Sequence, residues 1–369
     1  MSGRRSCCFS EGRPNLTRAG RGRRLVVRGI ALSTTSHTSR TRRVILVVVA
    51  ALWVTVAIPA QTIRIGSAAP ENSPWGRSLN QLAAEWQRIS DGRVRVQVFH
   101  NSIAGDEADM VRKLRIGQLQ AVVMTNTGLA ALSDKVMTLS MPLLIRSEAE
   151  YNHVFERTRR SIEEQIEGQG FRVLSWSMAG WVYPFSARPV RTPDDLRATV
   201  IAASPEEQAI VRAYQLLGYQ SVAIPLTERL ASLANNMANA YLTVPILAAG
   251  FQWFGATPNM LDLQIAPAPG AIIMSERAYR QLPAAIRDEL LSAAARLADG
   301  LTDAVRELER SAIDTMVAYG LTVNEPTAQE RRLWERELEA SYDVMVGTVF
   351  DAELYRIIRD LLDAYRRNN

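Results

Sequence analysis

Short runs that alternate apolar and polar residues give way repeatedly to longer stretches with a helical apolar period, and this alternation limits the fold more than any other feature. In RVRVQVF (93–99), Val94, Val96 and Val98 alternate with Arg93, Arg95 and Gln97, the pattern of a half-buried strand. Before it, Trp75, Leu79, Leu82, Trp86 and Ile89 recur at spacings of 4, 3, 4 and 3 residues, one face of a helix that Asp91-Gly92 ends. After it, GDEADMVRKLRIGQLQAVVMT supplies an acid-rich helix start, an amphipathic helix, a stop at Gly117 and a buried strand over 121–125. Asp106, Glu107 and Asp109 complement the dipole of that helix, so they read as helix chemistry rather than as a site.

The pattern continues. Residues 147–169 read as a helix ending at Gly170, and 172–176 and 183–186 as strands. From 199 the unit repeats as strand 199–203, helix 205–217, Gly218, strand 220–224, then Pro225 and another helix. One very long helix runs from 283 to 318, with Ile286, Leu290, Ala294, Leu297, Leu301, Val305 and Leu308 as its apolar stripe. Helices over 327–346 and 350–366 close the chain. Strands alternating with helices predict an α/β fold with mostly parallel sheets.

A chain of 369 residues exceeds what one core usually serves, so two lobes are expected. No Pro/Gly/Ser linker divides the halves, which predicts lobes that exchange strands through several crossings. The expected divisions are a leader over 1–60, a first lobe over 61–182 and a second over 183–282. The long helix and the C-terminal helices, 283–369, then pack across both.

Charge matters here because it is unevenly placed. Residues 1–60 hold eleven Arg, no Lys and one acid, Glu11, a balance of +10; the whole chain carries +5, so residues 61–369 carry −5. A mildly acidic body argues against nucleic acid as a partner. Val44–Ala60 is an uncharged apolar run behind Arg40, Arg42 and Arg43, the plan of an export signal with cleavage after Ala60. Its 17 residues would also just span a bilayer as an uncleaved anchor. The expected location is the periplasm. Both cysteines, Cys7 and Cys8, lie in the leader, so the exported chain has no disulfide, thiolate nucleophile or cysteine metal site.

Catalytic motifs are missing. There is no G-x-S-x-G, no G-x-x-x-x-G-K-[ST] and no H-E-x-x-H. His37 is in the leader, and His100 and His153 stand alone, the usual condition of surface or capping histidines. These absences argue against an enzyme, and no cofactor or metal is expected.

The order of these pieces resembles the extracytoplasmic solute-binding proteins of tripartite ATP-independent periplasmic (TRAP) transporters, from Thr62 to Tyr365. The likeness is carried by SPWGRSLNQLAAEWQRISDGRVRVQVFHNSIAGDEADMVRKLRIGQLQAVV, by SMPLLI (140–145) and by ARPVRTPDDLRA (187–198). The resemblance implies two α/β lobes that close on a small molecule, crossing strands, a long bracing helix, a membrane permease as partner and no chemistry. Such receptors usually hold an organic acid with an arginine on the strand after the Asp-Leu turn. Here that strand reads Val200, Ile201, Ala202, Ala203, with Ala202 at the arginine's place. Where the family often has G-[FW]-R, this chain has Gly180, Trp181 and Val182. Its V-D-G-x-E-N-P segment corresponds to MANAYLTVP (237–245), which puts Asn239 for Asp and leaves Tyr241 and Thr243 at the polar tip.

The expected ligand-binding residues are therefore Ala202, Trp181, Tyr183, Asn126, Asn239, Tyr241 and Thr243, lining a cleft without its cation. Arg188, Arg191 and Arg197 fall in the turn before the strand and read as solvated. The expected ligand is a hydrophobic or amphipathic small molecule. By analogy with family members lacking the arginine, a helical-repeat periplasmic partner is also implied. A non-transporting sensory or interaction protein, and an ordinary organic-acid receptor, are the alternatives.

Overall fold

The computed structural model describes residues 60–205 and 207–368; the leader and export signal expected over 1–60 fall almost wholly outside them. Among the described residues ten strands form one connected sheet. They are β1 (Gln61–Ser67), β2 (Val94–Phe99), β3 (Ala121–Thr125), β4 (Phe171–Ser186), β5 (Val200–Ala203), β6 (Gln220–Ala223), β7 (Ala240–Thr243), β8 (Asn259–Leu261), β9 (Ala266–Ser275) and β10 (Thr322–Asn324). The main path runs β2-β1-β3-β9-β4-β7-β5-β6, with β8 on β4 and β10 on β8.

At one end β1 lies parallel to both β2 and β3, joined by helices Pro74–Ile89 and Glu107–Arg115. At the other, β5 lies parallel to β6 and β7. Parallel pairing needs such helical crossovers, which is why the sequence alternates as it does. The centre is different. β9 runs antiparallel to β3 and to β4, and β4 antiparallel to β7 and β8. The mostly parallel sheet expected from the alternation holds at the two ends and in the short β8–β10 pair.

The expected strands 172–176 and 183–186 are one strand of 16 residues. Its first part pairs with β9 and its last four residues with β7, so β4 itself crosses between the two halves. The division drawn at 182/183 falls inside it. β9, which the sequence reading passed over, carries Pro267 and Pro269. A proline has no N–H for the ladder, and the register of β4 on β9 shifts between Met178 and Gly180, opposite these prolines. Gly180 takes φ +129°, and a Cβ there would stand 3.2 Å from Glu309 Oε2. Glycine satisfies both demands at once.

The long helix, Arg287–Ala318, lies against β4 and against helix Pro74–Ile89. Trp86, fully buried, donates its Nε1–H to Leu290 O at 2.9 Å, locking the two helices together. Ile63, Ile65, Leu79, Leu82, Leu290 and Ala294 fill the layer between helices and sheet. Each fully buried leucine or isoleucine contributes about 1.5–3 kcal/mol. The chain closes with helices Ala328–Met345 and Ala352–Asn368. Arg366 of the last grips Glu150 of helix Glu148–Gly168 through two bonds of 2.7 and 2.9 Å. Burial pushes the Glu150 carboxyl up, but the Arg366 fork and the Arg146 N–H outweigh it and hold it below its ordinary value.

Candidate functional site

Parallel strands aim their carboxyl ends at a crevice, and here both halves do so toward the same space. A cavity of about 160 Å³ is bounded by the ends of β3, β5 and β7 and by the middle of the crossing strands β4 and β9. From the first half come Asn126 and Thr127, directly after β3, with Ser140. From the second come Ala202, Ile210, Ala213, Tyr214, Leu242 and Thr243. Ala179, Val182, Ala266 and Ala268 form the floor between them, and Trp334, Leu338 and Phe350 also line it. Short side chains on the floor leave room that longer ones would fill.

Among the described residues lining this cavity none is Arg, Lys or His, and the one acid is Glu207. The polar groups of the first wall are already engaged with the protein. Asn126 Nδ2 donates to Ser140 Oγ at 3.0 Å, and Ser140 Oγ donates to Pro267 O at 2.8 Å. The Glu107 carboxylate lies behind, receiving Thr125 N–H at 2.8 Å and Gly128 N–H at 2.6 Å, which caps the short helix Asn126–Leu129. Thr127 Oγ1 reaches across to Glu207 Oε1 at 3.3 Å, and Ser204 N–H donates to Glu207 Oε2 at 2.7 Å. Burial and the Glu207 charge both push the Tyr214 phenol up, so it stays protonated.

Of the seven residues expected at the ligand, the structure brings three together at the cavity: Ala202, Asn126 and Thr243. Four face elsewhere. Trp181 and Tyr183 alternate with the cavity-lining Val182 and point through the opposite face of β4, since neighbouring strand residues face opposite ways. Tyr241 is fully buried in the core, stacked on Phe185 at 5.2 Å and edge-on to Trp253 at 5.3 Å. Asn239 ties strands together: its Oδ1 accepts Val200 N–H at 2.8 Å and its carbonyl accepts Ala187 N–H. Its replacement for the family's Asp serves the backbone, not the cavity.

Trp181 and Tyr183 border a second hollow, about 300 Å³, under the long helix. Tyr183 Oη accepts from Gln264 Nε2 at 3.1 Å. Glu309, on the long helix and buried, accepts the Trp181 N–H at 3.3 Å. Burial pushes its carboxyl from 4.5 up to about 7 despite that bond, and the Glu148 charge adds to the rise. This hollow is crowded with ions: Arg306 pairs with Glu148 and with Asp303 at 3.0 Å, and Arg310 pairs with Glu307.

The arginines before β5 stay out of the cavity. Arg191 pairs with Glu330 at 3.8 Å, and Arg197 pairs with Asp194 and Glu337 while lying over the outer face of Tyr219 at 5.3 Å. Arg229 escaped the sequence reading. It is buried, packed over Trp253 at 4.8 Å, and donates to Ser204 Oγ at 2.9 Å, so it supports the loop that carries Glu207. His100 is buried rather than at the surface, its Nε2 3.0 Å from Asn80 Oδ1, and His153 rests against Tyr365. Among the described residues no group of three or more His, Cys, Asp or Glu could hold a metal ion, and no helix is long and apolar enough to cross a membrane.

Comparison with known proteins agrees with this architecture. Residues 65–348 match the profile of DctP, the bacterial extracellular solute-binding protein, family 7. A solute-binding protein of Verminephrobacter eiseniae is 24% identical over 267 residues, 71% of this chain and 78% of its own. The C4-dicarboxylate-binding periplasmic protein DctP of Rhodobacter capsulatus is 21% identical, over 84% of this chain and 95% of its own. Among solved structures, a TRAP periplasmic solute-binding protein of Chromohalobacter salexigens with bound D-glucuronate superposes with a TM-score of 0.75 at 19% identity, covering 82% of this chain and 99% of its own. An extracytoplasmic solute receptor of Bordetella pertussis binding pyroglutamic acid gives 0.74 at 20%, covering 83% and 100%.

Proposed function

The chain belongs to family 7 of the bacterial extracellular solute-binding proteins, the periplasmic receptors of TRAP transporters, and we propose that its own ligand is a hydrophobic or amphipathic small molecule rather than an organic acid. The receptor captures that molecule between its lobes and delivers it to a membrane permease, without chemistry of its own. The observation that carries this reading is the wall around Ala202: short and apolar side chains, no cation, one carboxylate.

The energetics point one way. Desolvating a carboxylate ligand without a paired cation forfeits a charged hydrogen bond, about 1.5–3 kcal/mol, and leaves a buried charge uncompensated at about 3–5 kcal/mol. An organic acid would also meet Glu207, a like charge. Burial of apolar surface instead contributes about 25 cal/mol per Å².

The relatives supply the rival: D-glucuronate, pyroglutamic acid and C4-dicarboxylates are what the compared proteins take. Isothermal titration of the receptor with D-glucuronate, D-galacturonate and succinate against 1-octanol tests the choice. The proposal expects no heat from the three acids and saturable binding of octanol. Micromolar binding of any acid, with none of octanol, overturns it.

A further inference from the structure

The cavity does not end at its own walls. Thr125, Ala179 and Val244 border it and also border a second chamber of about 80 Å³, so the two spaces adjoin at these three residues. The second chamber is walled by Trp75, Val123, Met124, Ile246 and Leu247. It holds one acid, Glu107, whose oxygens already receive Thr125 N–H, Thr125 Oγ1–H and Gly128 N–H. The second chamber is thus mostly apolar, its one carboxylate already bonded, while the first presents Glu207.

That carboxylate, Glu207, has capacity to spare. Its two oxygens offer about four acceptor positions; Ser204 N–H and Thr127 Oγ1–H occupy one on each oxygen. It forms no ion pair among the described residues. The guanidinium groups nearby are turned to other work: Arg197 to Asp194 and Glu337 beyond Tyr219, Arg229 to Ser204 Oγ beneath Trp253. Thr127 follows β3 of one half and Glu207 follows β5 of the other, so their bond keeps the carboxylate on the cavity as the halves meet. A ligand that enters must strip water from Glu207. An apolar or anionic group there would leave the charge desolvated and unmatched, and a cationic donor would match it.

We infer that the ligand is an elongated amphipathic amine, its ammonium on Glu207 and its apolar tail running past Ala179 and Val244 into the chamber of Trp75, Ile246 and Leu247. This rests on the reading of the cavity as an apolar receptor site and names the chemistry of the ligand's head.

The test uses three probes that share one chain: 1-octylamine, 1-octanol and octanoate, titrated calorimetrically at pH 7 into the wild-type protein, Glu207→Gln and Leu247→Trp. Octylamine should bind about tenfold tighter than octanol or better, with octanoate weakest. Glu207→Gln should bring octylamine to the octanol level, with a small fall in melting temperature because one of the two carboxylate acceptors becomes an amide NH2. Leu247→Trp, which fills the far chamber, should weaken octylamine about tenfold while sparing 1-butylamine. Equal binding of octylamine and octanol in the wild type, unaltered by Glu207→Gln, overturns the amine and leaves the apolar receptor standing. Octanoate as the tightest of the three overturns both.

Discussion

The two faces of β4 hold two hollows built from neighbouring residues of one strand, yet they differ in almost every physical respect. On one face, Ala179 and Val182 border a neutral-walled cavity whose carboxylate, Glu207, has no ion pair among the described residues. On the other, Trp181 and Tyr183 border a hollow in which each nearby arginine already has an acid, and in which the buried Glu309 bonds the backbone of the strand. The first has its interior bonding satisfied except where a ligand would stand. In the second, Glu309 bonds the long helix to the crossing strand and Arg306 ties it to Glu148 of helix Glu148–Gly168. Parity along a single strand separates the proposed ligand cavity from the hollow under the long helix.

The sharpest way to break this contrast is to put charge into the first hollow. Ala202→Arg should cut the affinity for 1-octanol by a hundredfold or more, since the guanidinium occupies the cavity and must be buried with any apolar ligand, at about 3–5 kcal/mol. Titration calorimetry reads the change; unaltered affinity would place Ala202 outside the site. The mirror experiment is Trp181→Ala, which should lower stability by about 3–5 kcal/mol in urea melts and leave octanol affinity within about twofold. A large affinity loss with intact stability would reverse the assignment of the two faces.

These two residues also show how far the sequence could be read. The strand–helix order and the long helix were within reach because period and turn residues are local properties; Asn126 followed a strand end, whereas Ala202 and Thr243 were placed by the family resemblance. Trp181 and Tyr183 were misplaced because the bulge between Met178 and Gly180 resets the facing of β4, and a bulge depends on the partner strand. That partner, β9, was itself hidden by Pro267 and Pro269, which argue locally against a central strand. Tyr241 sits at the family's polar tip in sequence but packs between Phe185 and Trp253 in space. Glu207 was not singled out in the sequence; its place just beyond the carboxyl end of a parallel strand was the signal that could have found it. Arg229 carried none, being an isolated arginine in a helical stretch.

A smaller effect sharpens the second hollow. Because the folded Glu309 carboxyl titrates near 7 instead of 4.5, the native state holds its proton over a range in which the unfolded chain has lost it. Stability contributed by that proton is fully present below pH 4.5 and declines as pH rises toward 7. Glu309→Gln should therefore stabilise the protein at pH 8 by on the order of 1–3 kcal/mol and converge with the wild type near pH 4.5, as read by urea melts across pH. A constant difference at all pH values would show that the carboxyl titrates normally. The smallest expected change is Tyr183→Phe, which removes the acceptor for Gln264 and should cost about 1 kcal/mol of stability with no change in octanol affinity.

The central claim is that this receptor's cleft has exchanged a cationic anchor for apolar walls and a lone carboxylate, and the molecule bound to it when it is isolated reports on that directly. Native mass spectrometry of receptor released from the periplasm, followed by extraction and identification of the bound compound, should yield an apolar-bodied molecule without a carboxylate, its head a hydrogen-bond donor. Recovery of a uronate, a dicarboxylate or another organic acid at full occupancy would contradict the account.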